Sequence, residues 1–318
     1  EAKSALNQIA NVEVFANDQS LGSLSNSIYA PIYALTKTGL KQGRYTLTAV
    51  ATDGSGMNST SAPIHITVAA GSGQPYGMTD RAQIAPFLKM PAAFGDDVPA
   101  LLSGTGVFSD TASRTPAAGL IPYQLNAPMW SDGALESDFM AVPNRGDAIT
   151  PDEQLRLRPT GFWKFPDGTV FIKNLDLVVD ETHPDAPRRR LETQVLVRDN
   201  SGAVYGATYK WRSDNRDAEL VTAGTSEEIA ITNATGVRTQ TWYYASPADC
   251  LTCHTPGAGY VLGVNTRQLN GNFTYPATGN ADNQIRTLNR LGMFSPAINE
   301  AVIAGFPKLS ALTDANAP

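Results

Sequence analysis

Both cysteines of the chain and one of its three histidines stand together as Cys250-Leu-Thr-Cys253-His254. Cys-x-x-Cys-His is the attachment sequence of a c-type haem. Thiols three positions apart can reach the two vinyl groups on one side of a porphyrin and join them as thioethers. The adjacent histidine then serves the iron as proximal ligand. Other uses of a cysteine pair fit less well. A structural zinc site wants four Cys or His ligands, and only His65 and His183 remain, both distant in sequence. A thioredoxin-like pair wants a helix that follows a buried strand in a βαβ context, and the flanking pattern is all strand-like. A plain disulfide leaves His254 unexplained. The expectation is one covalent haem c held by Cys250, Cys253 and His254. Its covalent capture suits the bacterial periplasm or the outside of the cell.

The second axial position decides between an electron carrier and a ligand-binding haem. Met293 in "LNRLGMFSP" ends a predicted helix and is the first candidate, followed by His183 in "VVDETHPDAP" and then Met140. Each has a simpler reading: Met293 as a core residue and His183 as a solvent-exposed loop residue. Met129 and Met140 flank "WSDGALESD", a stretch that could fold over a haem. Asp132, Glu136 and Asp138 in that stretch lack the alternate spacing and central glycine of a calcium loop. His65 reads as a surface strand residue. Trp163 and Trp211 read as core, whereas Trp242 and Tyr243 lead straight into the haem segment. Arg188, Arg189, Arg190, Lys210 and Arg212 are candidate propionate partners or solvated strand ends.

The elements that must position these residues read as mainly β. Residues 11–69 show short strands ("NVEVFAND", "SIYAPIYALT", "GRYTLTAVATDGSG", "APIHITVAA"), with plain alternation in the third. The stretch 69–77, "AAGSGQPYG", has linker composition. The expected division is an Ig-like β-sandwich at 1–70, a linker at 71–78 and a β-rich haem domain at 79–318. In the last, "TDRAQIAPFLKM" reads as a short helix. Strands follow in "QLRLRP", "GTVFIKNLDLVVD", "RRLETQVLVRDNSGAVYGATYKWRSD", "AELV", "EEIAITN" and "RTQTWYYA", with a hairpin turn at "RDNSGA". Helices are expected in "NADNQIRTLNRLG" and in "SPAINEAVIAG", the latter starting at Ser295 and Pro296. A formal charge of −6 without a basic stripe argues against nucleic acid. No apolar run approaches a bilayer span. No charged-then-apolar leader precedes Glu1, so a mature or processed chain is expected.

The ordered motifs "LSGTGVFSD", "GLIPYQLNAPMWSDGA", "FWKFPDGTVFIKNLDL", "VYGATYKWRSDNRDAELV", "WYYASPADCLTCHTPGAGYVLGVNTRQLNGN" and "NQIRTLNRLGMFS" resemble those of a family of bacterial secreted c-type cytochrome modules. These are usually dihaem, and are found alone or fused to Ig-like and PQQ-dependent sugar-dehydrogenase-like domains. The N-terminal stretch similarly resembles bacterial Ig-like domains, with about seven strands in a full sandwich and four or five legible here. The resemblance implies an exported electron-transfer protein that accepts electrons from a quinoprotein-type dehydrogenase and passes them to a downstream acceptor. Such modules continue to a second Cys-x-x-Cys-His, which this sequence lacks, so the expectation is a single haem and a fragment of a longer protein. Two alternatives stay open. One is a haem enzyme or sensor with an open distal site; the other is a subunit of an extracellular cytochrome assembly that self-associates through its Ig-like domain.

Overall fold

A computed structural model describes residues 8–25, 33, 35, 37, 40, 43–68, 74–95, 97–146 and 149–311. The chain is mainly β, with a few short helices toward its C-terminus, and divides into two units: Glu1–Gln74 with Asp147–Thr150, and Pro75–Gly146 with Pro151–Pro318.

In the first unit β1 (Ile9–Ala16), β2 (Gln19–Ser25), β3 (Gly43–Asp53), β4 (Asn58–Thr60) and β5 (Ile64–Val68) form one antiparallel sheet in the order β2-β1-β3-β4, with β5 also on β3. Asn17 and Asp18, both at positive φ, make the two-residue turn between the first two strands. Among the described residues this is a single sheet, so the second sheet of an Ig-like sandwich is not observed. The expected strand "SIYAPIYALT" falls largely outside the described residues. His65 lies on β5 as an exposed residue and meets Thr46 at 3.1 Å.

The second unit begins earlier than its composition suggests. The Gly77 amide donates to Thr287 Oγ1 (3.1 Å) and Asp282 Oδ2 (3.2 Å), and Arg286 lies 3.9 Å over the Tyr76 ring. These contacts make Pro75–Met78 part of this unit rather than a linker. The expected helix in "TDRAQIAPFLKM" is absent: Ile84 bridges Asn144, and Phe87 and Leu88 have positive φ. Pro86 disfavours the helical conformation at Ala85, which explains the break.

After a small ribbon, β6 (Phe108–Asp110) with β7 (Thr115–Pro116), come the strands of the principal sheet. They are β8 (Ile121–Tyr123), β9 (Leu135–Ala141), β10 (Val170–Leu177), β11 (Arg189–Arg198), β12 (Val204–Trp211) and β13 (Ala218–Leu220). All pairs are antiparallel, in the order β13-β12-β11-β10-β9-β8. The predicted hairpin joins β11 to β12. Asp199 Oδ1 accepts from the amides of Ser201 and Ala203, and Gly202 supplies the positive φ of 81°. The expected strand "QLRLRP" is reduced to isolated bridges at Leu155 and Arg156.

A hairpin of β14 (Thr225–Asn233) and β15 (Gly236–Tyr244) leads into α1 (Pro247–Cys253). Then come α2 (Thr266–Leu269), β16 (Asn272–Thr274), β17 (Ala281–Asn283), α3 (Gln284–Arg290) and a 3-10 helix at Glu300–Gly305. Asn283 caps α3 and Asn299 caps the 3-10 helix. The last helix therefore starts at Asn299 and not at Ser295, because the Asn299 side chain supplies the first acceptor.

The two faces of the principal sheet differ chemically, and this positions the site. One face carries Ile172, Val195, Val197, Tyr205, Ala207, Tyr209 and Trp211 and is covered by Ile84, Met90, Leu102 and Val107. The other starts as an apolar row of directly paired residues, Ile121, Met140, Phe171, Leu196 and Gly206. The next row is polar: Tyr123, Asp138, Lys173, Gln194 and Thr208 stand opposite one another across five strands. The row beyond it is Glu136, Leu175, Glu192 and Lys210. Paired residues share a face, so ionisable groups occupy the middle of a sheet face where core is expected.

Candidate functional site

The α1 helix brings the cysteine motif onto this face. Ser246 caps α1 reciprocally with Asp249, accepting from its amide and donating to its carboxylate at 2.7 Å, and Pro247 occupies the first turn. Replacing Ser246 by Ala is expected to lower stability by about 1 kcal/mol, read by thermal unfolding. Gly206 on β12 permits the close approach of the helix: a Cβ there would stand 2.5 Å from Cys250 Sγ. Gly206→Ala is therefore expected to displace α1 at a cost of about 1–3 kcal/mol, seen as a lower Tm with a changed near-UV spectrum.

Cys250 is half-buried and Cys253 exposed, and both are free thiols. Burial, reinforced by the Asp249 carboxylate, pushes the Cys250 thiol up to about 11. A redox or metal-ligating thiol needs the opposite shift. Among the described residues no group of three or more His, Cys, Asp or Glu side chains could hold a metal ion by itself.

His254 ends α1, its amide bonded to the Cys250 carbonyl at 3.0 Å. A tight turn follows, in which Thr255 caps Pro256–Ala258 and Tyr260 returns to the Thr255 carbonyl. The turn sets the Tyr260 carbonyl 2.6 Å from His254 Nδ1. Nδ1 must then carry the proton and donate, which leaves the Nε2 lone pair without a hydrogen-bond partner among the described residues.

Cys250 and His254 both line a cavity of about 350 Å³ over the polar row of the sheet. Its floor is Tyr123, Glu136, Asp138, Lys173, Glu192 and Gln194, and its wall includes Trp242. The loop Met129–Asp132 lies over it and separates it from a neighbouring cavity of about 610 Å³, which the same loop and Tyr123, Glu136 and Asp138 also line. Trp130 in this loop is 85 % exposed and Met129 is 47 % exposed. Of the stretch "WSDGALESD", Trp130–Asp132 belongs to this loop, whereas Glu136 and Asp138 lie on β9 and form part of the floor rather than a cover.

Charge at the floor is unbalanced. Lys173 pairs with Glu136 at 2.8 Å, and Asp138 Oδ1 is buried without a partner. Burial pushes the Asp138 carboxyl up to about 7, with Lys173 opposing and Glu136 adding to the shift. Glu192 accepts from Gln194 at 2.8 Å, while the Trp242 indole N–H approaches it outside ordinary hydrogen-bond geometry. Burial pushes this carboxyl up to about 7 as well.

The distal candidates separate. Met293 is fully buried in the cluster formed with Leu155, Trp163, Leu288 and Phe294, and Met140 is buried in the same cluster. Neither is among the residues lining the cavity. His183 sits in an exposed loop with Asp180 at 3.0 Å, also away from the cavity. Of the methionines considered, Met129 lines it. Trp163 and Trp211 are core residues, donating to Thr266 and Thr193. The arginine candidates are engaged elsewhere: Arg189 with Glu227, Arg212 with Glu219, and Arg190 over Trp211. The cation at the cavity is Lys173. Sequence reasoning overlooked Lys173, Glu192, Gly206 and Tyr260. A signal existed for Lys173, a charged residue between Phe171 and Leu175 on one face of β10.

Comparisons of the chain with protein-family models, with curated proteins and with solved structures found no match, so the reading of this site rests on its own residues and geometry.

Proposed function

We propose that this chain is a monohaem c-type cytochrome module that transfers electrons in the periplasm or outside the cell. Its donor would be a dehydrogenase of the quinoprotein type and its acceptor a further redox protein. The observation that carries the reading is the coupling of the Cys-x-x-Cys helix to a histidine whose Nδ1 is tied to the Tyr260 carbonyl at 2.6 Å, at the edge of a cavity over the sheet. That hydrogen bond fixes tautomer and ring orientation in the way metal-bound histidines require. Cys250 and His254 line the cavity and Cys253 stands exposed at the end of the same helix, a placement compatible with the group: Cys250 and Cys253 would hold it through thioether bonds and His254 Nε2 would ligate its iron. The bound haem supplies a one-electron couple. The raised Cys250 thiol would resist competing oxidation before attachment.

A second reading, a haem that binds small ligands, draws on the distal side. Met129 is the thioether lining the cavity and is half exposed on a loop, while Met293 and His183 lie elsewhere. A reduced-minus-oxidised absorption spectrum, repeated under carbon monoxide, tests both. A low-spin c-type spectrum untouched by carbon monoxide supports the carrier. A spectrum shifted by it favours the ligand-binding haem, and absence of any haem spectrum from protein matured in a c-type assembly host overturns both.

A further inference from the structure

The buried acids of the cavity floor have no structural role that accounts for them. Asp138 is 6 % and Glu192 2 % exposed, and each keeps one oxygen without a hydrogen-bond partner. They lie on β9 and β11, on either side of β10. Leaving such groups buried and unsatisfied costs free energy, and a sheet face of this size is easily filled with apolar residues. The groups facing them are few. Tyr123 comes from β8, Glu136 from β9, Lys173 from β10, Asp132 from the covering loop, Tyr243 from β15, and Cys250 and His254 from α1 and its end. Lys210, directly opposite Glu192 in register, is taken by Glu227 at 2.9 Å. Lys173 is the cation among these lining residues, and Glu136 already holds it. The floor is thus short of positive charge by about one unit for each of Asp138 and Glu192 when they are ionised.

Resting on the haem reading above, we propose that Asp138 and Glu192 form a proton-accepting site coupled to electron uptake in this cavity. A ferric iron held by His254 would favour the ionised carboxylates, and one electron from a one-electron reductant, such as a redox protein or a dissolved mediator, would cancel one unit of that positive charge. Asp138 or Glu192 would then take one proton from water on a carboxylate oxygen, forming an O–H bond, so that one electron and one proton enter together and the charge of the cavity is unchanged. Burial already lifts both carboxyls out of the ordinary carboxylate range in the chain alone, to about 7 for each, which brings their protonation toward neutral pH.

The test is a spectroelectrochemical titration of the haem-loaded full chain across neutral pH. One proton per electron makes the reduction equilibrium tenfold less favourable per pH unit, about 59 mV for a one-electron couple. The Asp138→Asn/Glu192→Gln variant is expected to lose most of that slope, while Asp185→Asn, an exposed carboxylate outside the cavity lining, keeps it. A redox-difference infrared spectrum is expected to show a protonated-carboxyl band appear on reduction in the wild type and vanish in the double variant. A pH-independent potential in a wild type with a c-type spectrum overturns the proposal and leaves the cytochrome reading intact. A slope and carboxyl band retained by the double variant overturn it too. Absence of the haem spectrum overturns both together. If the double variant does not fold, the single Asp138→Asn and Glu192→Gln variants decide: each is expected to lose part of the slope and of the infrared band, and wild-type values in both overturn the proposal.

Discussion

The Cys250→Ser/Cys253→Ser variant is expected to carry no covalently bound haem, with complete loss of haem stain on a denaturing gel, while the polypeptide keeps its fold. Serine cannot add across a vinyl group to form a thioether, so the expected loss is total rather than graded. The fold should survive because neither thiol is needed for packing. Cys253 is exposed, and Cys250 Sγ makes only a weak 3.6 Å contact with the Ser246 carbonyl. The expected destabilisation is about 1 kcal/mol, checked by circular dichroism and thermal unfolding of haem-free wild type and variant. Each single variant is expected to keep reduced stain through the remaining thiol. Stain that persists in the double variant would mean that the cysteines are not the attachment points. An unfolded double variant beside a folded haem-free wild type would mean that the thiols are structural.

Much of this architecture was legible in the sequence, for reasons that particular strands make plain. The β10, β11 and β12 strands are rich in β-branched, aliphatic and aromatic residues with turn residues between β11 and β12, so their existence follows from local pattern. The α1 cap was not read in advance, yet the Ser-Pro-x-Asp signal lies in the sequence and closes as a capping box. Local pattern failed where tertiary contacts decide. "TDRAQIAPFLKM" has helical composition, but Ile84 is committed to Asn144 and Phe87 and Leu88 turn left-handed. The stretch "AAGSGQPYG" looks like a linker throughout, whereas Tyr76 and Gly77 are held by Arg286, Thr287 and Asp282, more than two hundred residues away.

Of the candidate site, spacing along the chain shows only that Cys250, Cys253 and His254 share one turn of helix, which is local. The cavity lined by Cys250 and His254 depends on the register of five strands, because only pairing places Tyr123, Asp138, Lys173, Gln194 and Thr208 in one row. Met293 illustrates the converse. Its distance from the haem motif along the chain suggests a returning ligand, yet α3 turns its end into the apolar cluster and leaves Met129, from the opposite direction in sequence, beside the cavity.

That same row carries the second large effect. In the haem-free Cys250→Ser/Cys253→Ser background, stability is expected to fall as pH rises from about 4 to about 7 and to level off above. The reversal comes from Asp138 and Glu192, whose carboxyls burial pushes up to about 7 in the folded chain. Between the unfolded and folded values the folded state binds more protons, so raising the pH favours the unfolded state. The loss is on the order of 3 kcal/mol for each group. Glu227 acts in a separate window. Burial opposes its ionisation, but Lys210, Arg189 and Tyr244 hold its carboxyl down to about 2, so its contribution is lost only as pH falls through the acid range below about 4. Adding Asp138→Asn and Glu192→Gln to the same background removes the two raised groups with little change of shape. The added pair is expected to leave stability near pH 4 almost unchanged and to raise it by several kcal/mol near pH 8. Tm measured across that range reads the difference directly, and parallel curves for the two proteins would refute the assignment.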